Sequence, residues 1–225
     1  PKCLLPLGKI TILENQIYAL TKAGIKKEDI LVVVGHKAEM IQQLHKNTLF
    51  NPKFAEFDNG YSVYIALQKL FHEEGLDNNE SILILDGDLV CNDDLIHNIN
   101  KSQKENLLVN KPIKYSKILK DEISLIDSNG KIVKVIIPSK QNPLNLEYSE
   151  TPLYSYTGVM KISRNTAVQL YEKLKTSHEK WYTLPLQELV LVNDFYSFEV
   201  PESLKYFFDV DTKEDLDKLL NIKIK

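Results

Sequence analysis

Ser81-Ile82-Leu83-Ile84-Leu85-Asp86-Gly87-Asp88 is the stretch that decides the fold. A short, nearly all-aliphatic run ends abruptly in two carboxylates around a glycine. Such a run suits a strand buried on both faces, as in a parallel sheet covered by helices. Asp88 then stands at the C-terminal end of the strand, where open α/β sheets bind ligands. Gly87 leaves room for close backbone approach. An aspartate there suits Mg²⁺, which prefers hard oxygen ligands and often takes one or two carboxylates with substrate phosphates. The plain alternative is an ordinary strand-to-loop aspartate. Asp86 caps or braces the same turn.

Upstream, Ile30 to Val34 repeats the buried-strand pattern. Thr11 to Ala23 reads as a helix, with Ile12, Ile17, Leu20 and Ala23 at helical spacing. Thr11 is its N-cap with Glu14 three residues on, and Gly24 is its stop. Ala38 to Lys46 is a short helix, and Asn47 to Asp58 an irregular connection. Tyr61 to Glu74 is the next helix, closed by Gly75. Downstream come a helix over Asp93 to Ser102 and a strand over Glu105 to Asn110. Strand and helix alternating at this rhythm imply right-handed crossovers.

Past residue 110 the pattern changes. Glu122 to Ile126 and Lys131 to Ile137 flank Asn129-Gly130, a strong hairpin signal. Ser139 to Glu150 reads as a polar loop or lid. Leu153 to Ile162 is a strand interrupted by Gly158. Helices over Asn165 to Thr176 and Leu186 to Val192 follow, then strands over Phe195 to Val200 and Tyr206 to Val210. Lys213 to Leu220 is the closing helix, with Thr212 as N-cap. The expected fold is α/β: a Rossmann-like, mainly parallel mixed sheet with helices on both faces and a β-hairpin insertion.

Composition narrows the function. At 225 residues and 43% apolar, the chain makes one domain, or one domain with a small appendage, around a single core. A net charge of −3 gives no electrostatic reason to expect nucleic acid. Two cysteines, Cys3 and Cys91, make no disulfide framework and no zinc spacing. A reduced, cytoplasmic setting is the simpler reading. No apolar run reaches the roughly 18 residues of a membrane span. The histidines show no metal-ligand spacing, and no Ser or Cys nucleophile motif is present.

Pro1-Lys2-Cys3-Leu4-Leu5-Pro6-Leu7-Gly8, followed by Ile12-Leu13-Glu14, resembles the second half of the signature of GT-A-like nucleotidyltransferases. Ile30 to Glu39, Asn59-Gly60-Tyr61-Ser62, Leu85-Asp86-Gly87-Asp88 and Asp209-Val210-Asp211-Thr212 follow in the family's order. The resemblance therefore spans nearly the whole chain. It implies one domain over 1–225, with a nucleotide-binding half over 1–110 and an acceptor-binding half over 111–225. It implies that a strand and a glycine-rich loop with an arginine, roughly 15–25 residues, precede Pro1.

By the same resemblance Lys2 contacts phosphate, and Asp88 and Asp211 hold Mg²⁺. For Asp211 the local reading is a helix N-terminus, with Asp209 as the alternate ligand. Asn59, Gly60, Ser62, Asp86 and Gly87 line the nucleotide; Asn59 or Ser62 as a helix cap is the plain alternative. Asp58-Asn59-Gly60-Tyr61-Ser62 is similar to the Asn-x-x-Ser form of choline-phosphate-type cytidylyltransferases, which favours CTP. Gly158 resembles a glycine of the acceptor side. Trp181 and Tyr182 suit a quaternary ammonium through cation–π contact, or else core packing. Glu188 faces a cationic acceptor, or else solvent.

The implied reaction transfers CMP from CTP to a phosphorylated small molecule, releasing pyrophosphate. Phosphocholine, aminoethylphosphonate and phosphorylated amino-acid derivatives are the acceptors considered, with capsule or surface-polymer decoration as the setting. A homodimer is compatible with this. The rivals are a sugar-1-phosphate nucleotidyltransferase using another NTP and a non-catalytic nucleotide-binding regulatory domain.

Overall fold

The computed structural model describes residues 1–75, 77, 80–113, 123–137, 153–200, 208–210, 212 and 214–217. In chain order the elements are β1 (Pro6–Leu7), β2 (Ile10–Thr11), α1 (Ile12–Lys22), β3 (Val32–Val34), α2 (Ala38–Leu44), β4 (Thr48–Phe50), α3 (Gly60–Lys69), β5 (Ser81–Leu85) and β6 (Leu89–Val90). Then follow α4 (Asp93–Lys101), β7 (Asn106–Pro112), β8 (Ile123–Ile126), β9 (Ile132–Ile136), β10 (Leu153–Ser163), α5 (Arg164–Leu174), α6 (Leu186–Val192), β11 (Phe195–Glu199) and β12 (Phe208–Asp209). They assemble into two units. One takes Pro1–Ala55, Leu85–Ser102 and Pro201–Lys225; the other takes Glu56–Ile84 and Gln103–Val200. The expected lid over 139–150 lies outside the described residues.

In the first unit α1 starts as its sequence demands. Glu14 N–H donates to the Thr11 hydroxyl at 3.2 Å, and Thr11 N–H donates back to the Glu14 carboxylate at 2.7 Å. This reciprocal cap satisfies donors that a helix start otherwise leaves orphaned. The helix ends at Gly24, whose φ of +92° is cheap only for glycine. α1 packs by Ile12 against Leu7, Val90 and Val210, and by Leu13 against Val34 and Ile41. β1 and β2 form a hairpin turning at Gly8 and Lys9, with φ of +74° at Gly8. β6 pairs antiparallel with β12, Leu89 opposite Asp209.

β3 pairs parallel with β4, Val33 opposite Leu49. The stretch expected to be irregular thus contains a strand. Thr48-Leu49-Phe50 is too short to show alternation, and Phe50 is half exposed, at 52%. Val32 and Val33 are only half-buried, less covered than their composition predicts.

His45 ties down the C-terminal end of α2. It is 2% exposed, and its Nε2–H donates to the Ile30 carbonyl at 2.7 Å; its buried Nδ1 has no partner among the described residues. His45→Ala leaves that carbonyl buried and unpaired. The expected loss is about 1–3 kcal/mol, or about 2–12 °C in melting temperature. A calorimetric shift below 1 °C would show that the tether contributes nothing.

The second unit holds a mixed sheet in the order β11-β7-β10-β8-β9, with β5 also pairing β10. β11 runs parallel to β7, whereas β10 is antiparallel to both β7 and β8. The β8–β9 hairpin turns where Asn129-Gly130 placed it, with φ of +77° at Gly130. The core combines Leu108, Met160, Leu170, Leu174, Leu189 and Phe195, all fully buried. Each such side chain contributes about 1.5–3 kcal/mol of burial. β10 shifts register between Tyr156 and Met160, around Gly158 at φ +81°. Bulges of this kind re-aim side chains and recur beside binding sites. Among the described residues, no helix is long and apolar enough to cross a membrane.

Candidate active site

Lys2 sits in a 3₁₀ turn, Lys2–Leu4, where its carbonyl accepts from Leu5 N–H at 2.9 Å. Its Nζ lies 3.1 Å from Oδ2 of Asp88, a partner 86 positions away. The two side chains are 46% and 26% exposed, so both remain open to a ligand. Burial pushes the neighbouring Cys3 thiol up, and the Asp88 charge acts in the same direction. Cys91 is buried outright, and its thiol is pushed up to about 12; such cysteines are inert.

The Asp88 backbone is held as firmly as its side chain. Val210 N–H donates to its carbonyl at 3.2 Å, continuing the β6–β12 ladder. Asp211, the proposed second ligand, follows immediately in sequence and lies outside the described residues. Thr212 caps the helical turn over 214–217: Asp215 N–H donates to its hydroxyl at 3.2 Å, and its own N–H donates to Asp215 at 2.9 Å. The described residues contain no group of three or more His, Cys, Asp or Glu placed to hold a metal.

In the second unit the structure joins two segments that the sequence left apart. Asp58 N–H donates to Glu179 O at 3.1 Å and Gly60 N–H to Lys180 O at 2.9 Å. Tyr182 N–H donates to Oδ1 of Asn59 at 3.2 Å. Asn59 occupies the N-cap position of α3, yet its side chain caps nothing; Oδ1 accepts from Tyr182 N–H instead. Ser62 lies half-buried in the first turn of α3. Phe57, Tyr61 and Tyr64 gather around His178, the Tyr64 ring stacking on it with centroids 5.0 Å apart. Their spacing of four and three residues, an aromatic stripe at helical period, was the available signal for this cluster.

The acceptor candidates divide. Trp181 is 43% exposed. Tyr182 is a core residue, 1% exposed, its hydroxyl 3.0 Å from that of Tyr156. Its aromatic face is taken up by packing, so core packing wins over ligand contact there. Glu188 is a solvent-facing carboxylate paired with Lys173. Gly158 sits in the β10 bulge.

A sequence-family model described as "Domain of unknown function (DUF6564)" matches residues 11–222. The choline-phosphate cytidylyltransferase of Streptococcus pneumoniae (strain ATCC BAA-255 / R6) is 31% identical over 81 residues, which is 34% of this chain and 34% of that protein. Among solved structures, a CTP:phosphocholine cytidylyltransferase from Streptococcus pneumoniae superposes with a TM-score of 0.71 at 17% identity, covering 99% of this chain and 89% of that one. A glucose-1-phosphate thymidylyltransferase-like protein from Bacillus anthracis gives 0.68 at 14% identity, covering 98% and 85%. The fold is that of the nucleotidyltransferases.

Proposed function

We propose that this chain, which belongs to the DUF6564 family and has the nucleotidyltransferase fold, transfers CMP from CTP to a phosphorylated small molecule and releases pyrophosphate. The observation that carries the reading is the Lys2–Asp88 pair, an ammonium and a carboxylate brought to 3.1 Å from distant sequence positions. Nucleotidyl transfer builds negative charge on the α-phosphate and the departing pyrophosphate. A positioned ammonium stabilises that charge, and this is the role assigned to Lys2. Asp88, with Asp211, is assigned to hold Mg²⁺. One or two carboxylates beside substrate phosphates suit that ion, so the donor set fits. Bound there, Mg²⁺ would act as a Lewis acid on the phosphate oxygens. No general base is required where the acceptor is already a phosphate or phosphonate.

CTP is favoured by the orientation of Asn59. A backbone N–H can only donate, so Oδ1 must face Tyr182 and the amide nitrogen is left to read a base. Two N–H donors match the adjacent O2 and N3 acceptors of cytosine; uracil and thymine present an N3–H donor there. The exposed indole of Trp181 suits a quaternary ammonium. Phosphocholine is therefore the first acceptor to try, then aminoethylphosphonate and phosphorylated amino-acid derivatives. The setting proposed is cytoplasmic synthesis of precursors for bacterial surface polymers.

The test is pyrophosphate release with each of the four NTPs, Mg²⁺ and an acceptor pool. Release with CTP alone is expected. Release with UTP or dTTP and a sugar 1-phosphate would move the assignment to the second structural relative's class. Nucleotide binding without any release would leave a regulatory domain.

A further inference from the structure

We propose that Gln16, on α1, is the positioning residue of the Asp88 turn. This rests on the reading of Asp88 as a metal-holding carboxylate. Gln16 lies on the buried face of α1 with Ile12, Ala19 and Leu20, and is 6% exposed. Its Nε2 donates to the Asp86 carbonyl at 2.8 Å and to the Leu89 carbonyl at 2.9 Å. Those two carbonyls bracket Gly87 and Asp88, so one planar amide fixes the two ends of the turn that carries the carboxylate. One residue earlier, Asn15 Oδ1 accepts from Cys91 N–H at 2.8 Å. With Val210 N–H on the Asp88 carbonyl, the backbone of 86–91 is held at four points.

The turn itself supplies little restraint. Gly87 is solvent-exposed, and a Cβ built there would meet nothing within 4 Å. The stiffness must come from outside, and α1 provides it. A buried amide is costly unless its hydrogens are satisfied; a purely space-filling residue at this position would be Leu or Met. The signal was present in the sequence, because residue 16 falls four after Ile12 on the apolar stripe. A glutamine there marks a polar group with an internal task.

Groups that orient a metal ligand typically change metal affinity or activity by 10–100-fold when removed. The experiment compares wild type, Gln16→Met and Gln16→Glu. It uses hydrogen exchange across the chain, Mn²⁺ binding followed by electron paramagnetic resonance, and steady-state kinetics. Gln16→Met is expected to lose exchange protection selectively over residues 85–91. Mn²⁺ affinity and kcat should fall by about 10-fold, with KM for CTP changed far less. Gln16→Glu, which has the shape without the donors, should behave the same way. Uniform loss of protection with Mn²⁺ affinity unchanged per folded molecule would reduce Gln16 to a packing residue and overturn the proposal. If Asp88→Asn left Mn²⁺ affinity unchanged, the metal assignment of Asp88 would fall, and with it the proposed function. Protection over 85–91 in the Gln16 variants would still decide whether Gln16 holds the turn.

Discussion

Asp88→Asn is expected to lower CTP-dependent pyrophosphate release by about 10³-fold, equivalent to about 4 kcal/mol of transition-state stabilisation. Folding should hardly notice. The Lys2–Asp88 pair is partly exposed, at 46% and 26% for the two side chains, and such pairs contribute about 0–1 kcal/mol to stability. A melting temperature within about 4 °C of wild type follows. Asparagine keeps the shape and one acceptor oxygen but removes the charge that a divalent cation needs. Large loss of rate with intact folding is thus the signature of a ligand-handling carboxylate. More than a tenth of wild-type turnover in Asp88→Asn would remove Asp88 from the chemistry.

Gly60→Ala is expected to act through structure first. A Cβ on Gly60 would lie 2.1 Å from the Lys180 carbonyl oxygen, a backbone atom that cannot swing aside. The glycine is required by close approach, since its φ is not among the positive ones. The clash would push apart the 58–60 and 179–182 segments, breaking the bonds that Asp58, Gly60 and Tyr182 donate. A cost of about 2–3 kcal/mol is expected, lowering the melting temperature by about 4–12 °C. Asn59 would lose the partner that orients it, so CTP affinity should fall about tenfold, the equivalent of one hydrogen bond. Gly87→Ala is the control for stability, because its Cβ would enter open space. Equal melting temperatures for Gly60→Ala and Gly87→Ala would refute the clamp.

Features set by neighbouring residues were legible in the sequence. Thr11 and Glu14 announce the α1 start because both halves of a capping box lie within one turn. Asn129-Gly130 announces the β8–β9 hairpin because positive φ is a local demand. Asp88 was legible as the residue that ends an apolar run. Features set by distant partners were not. Nothing near Asn59 reveals that Tyr182, 123 positions later, would take its side-chain oxygen. Nothing near Tyr182 shows that its hydroxyl would find Tyr156 inside the core. β4 escaped because three residues with an exposed Phe50 carry no readable period. Antiparallel pairing around β10 escaped for a related reason: strand direction is a property of the assembled sheet, and buried runs look alike either way.

The interleaving of the two units bears on how a ribosome delivers this protein. Domains generally fold as units, N-terminal first, as synthesis proceeds. Here every segment of the second unit has been synthesised by Val200, while the first still awaits Pro201–Lys225. The β6–β12 ladder, and the Val210 bond to the Asp88 carbonyl, must wait for that stretch to emerge. The nascent chain therefore has all segments of the second unit in hand before those of the first. A chain cut after Val200 would hold every segment of the second unit, whereas β6 would lack its β12 partner and the Asp88 carbonyl its Val210 donor.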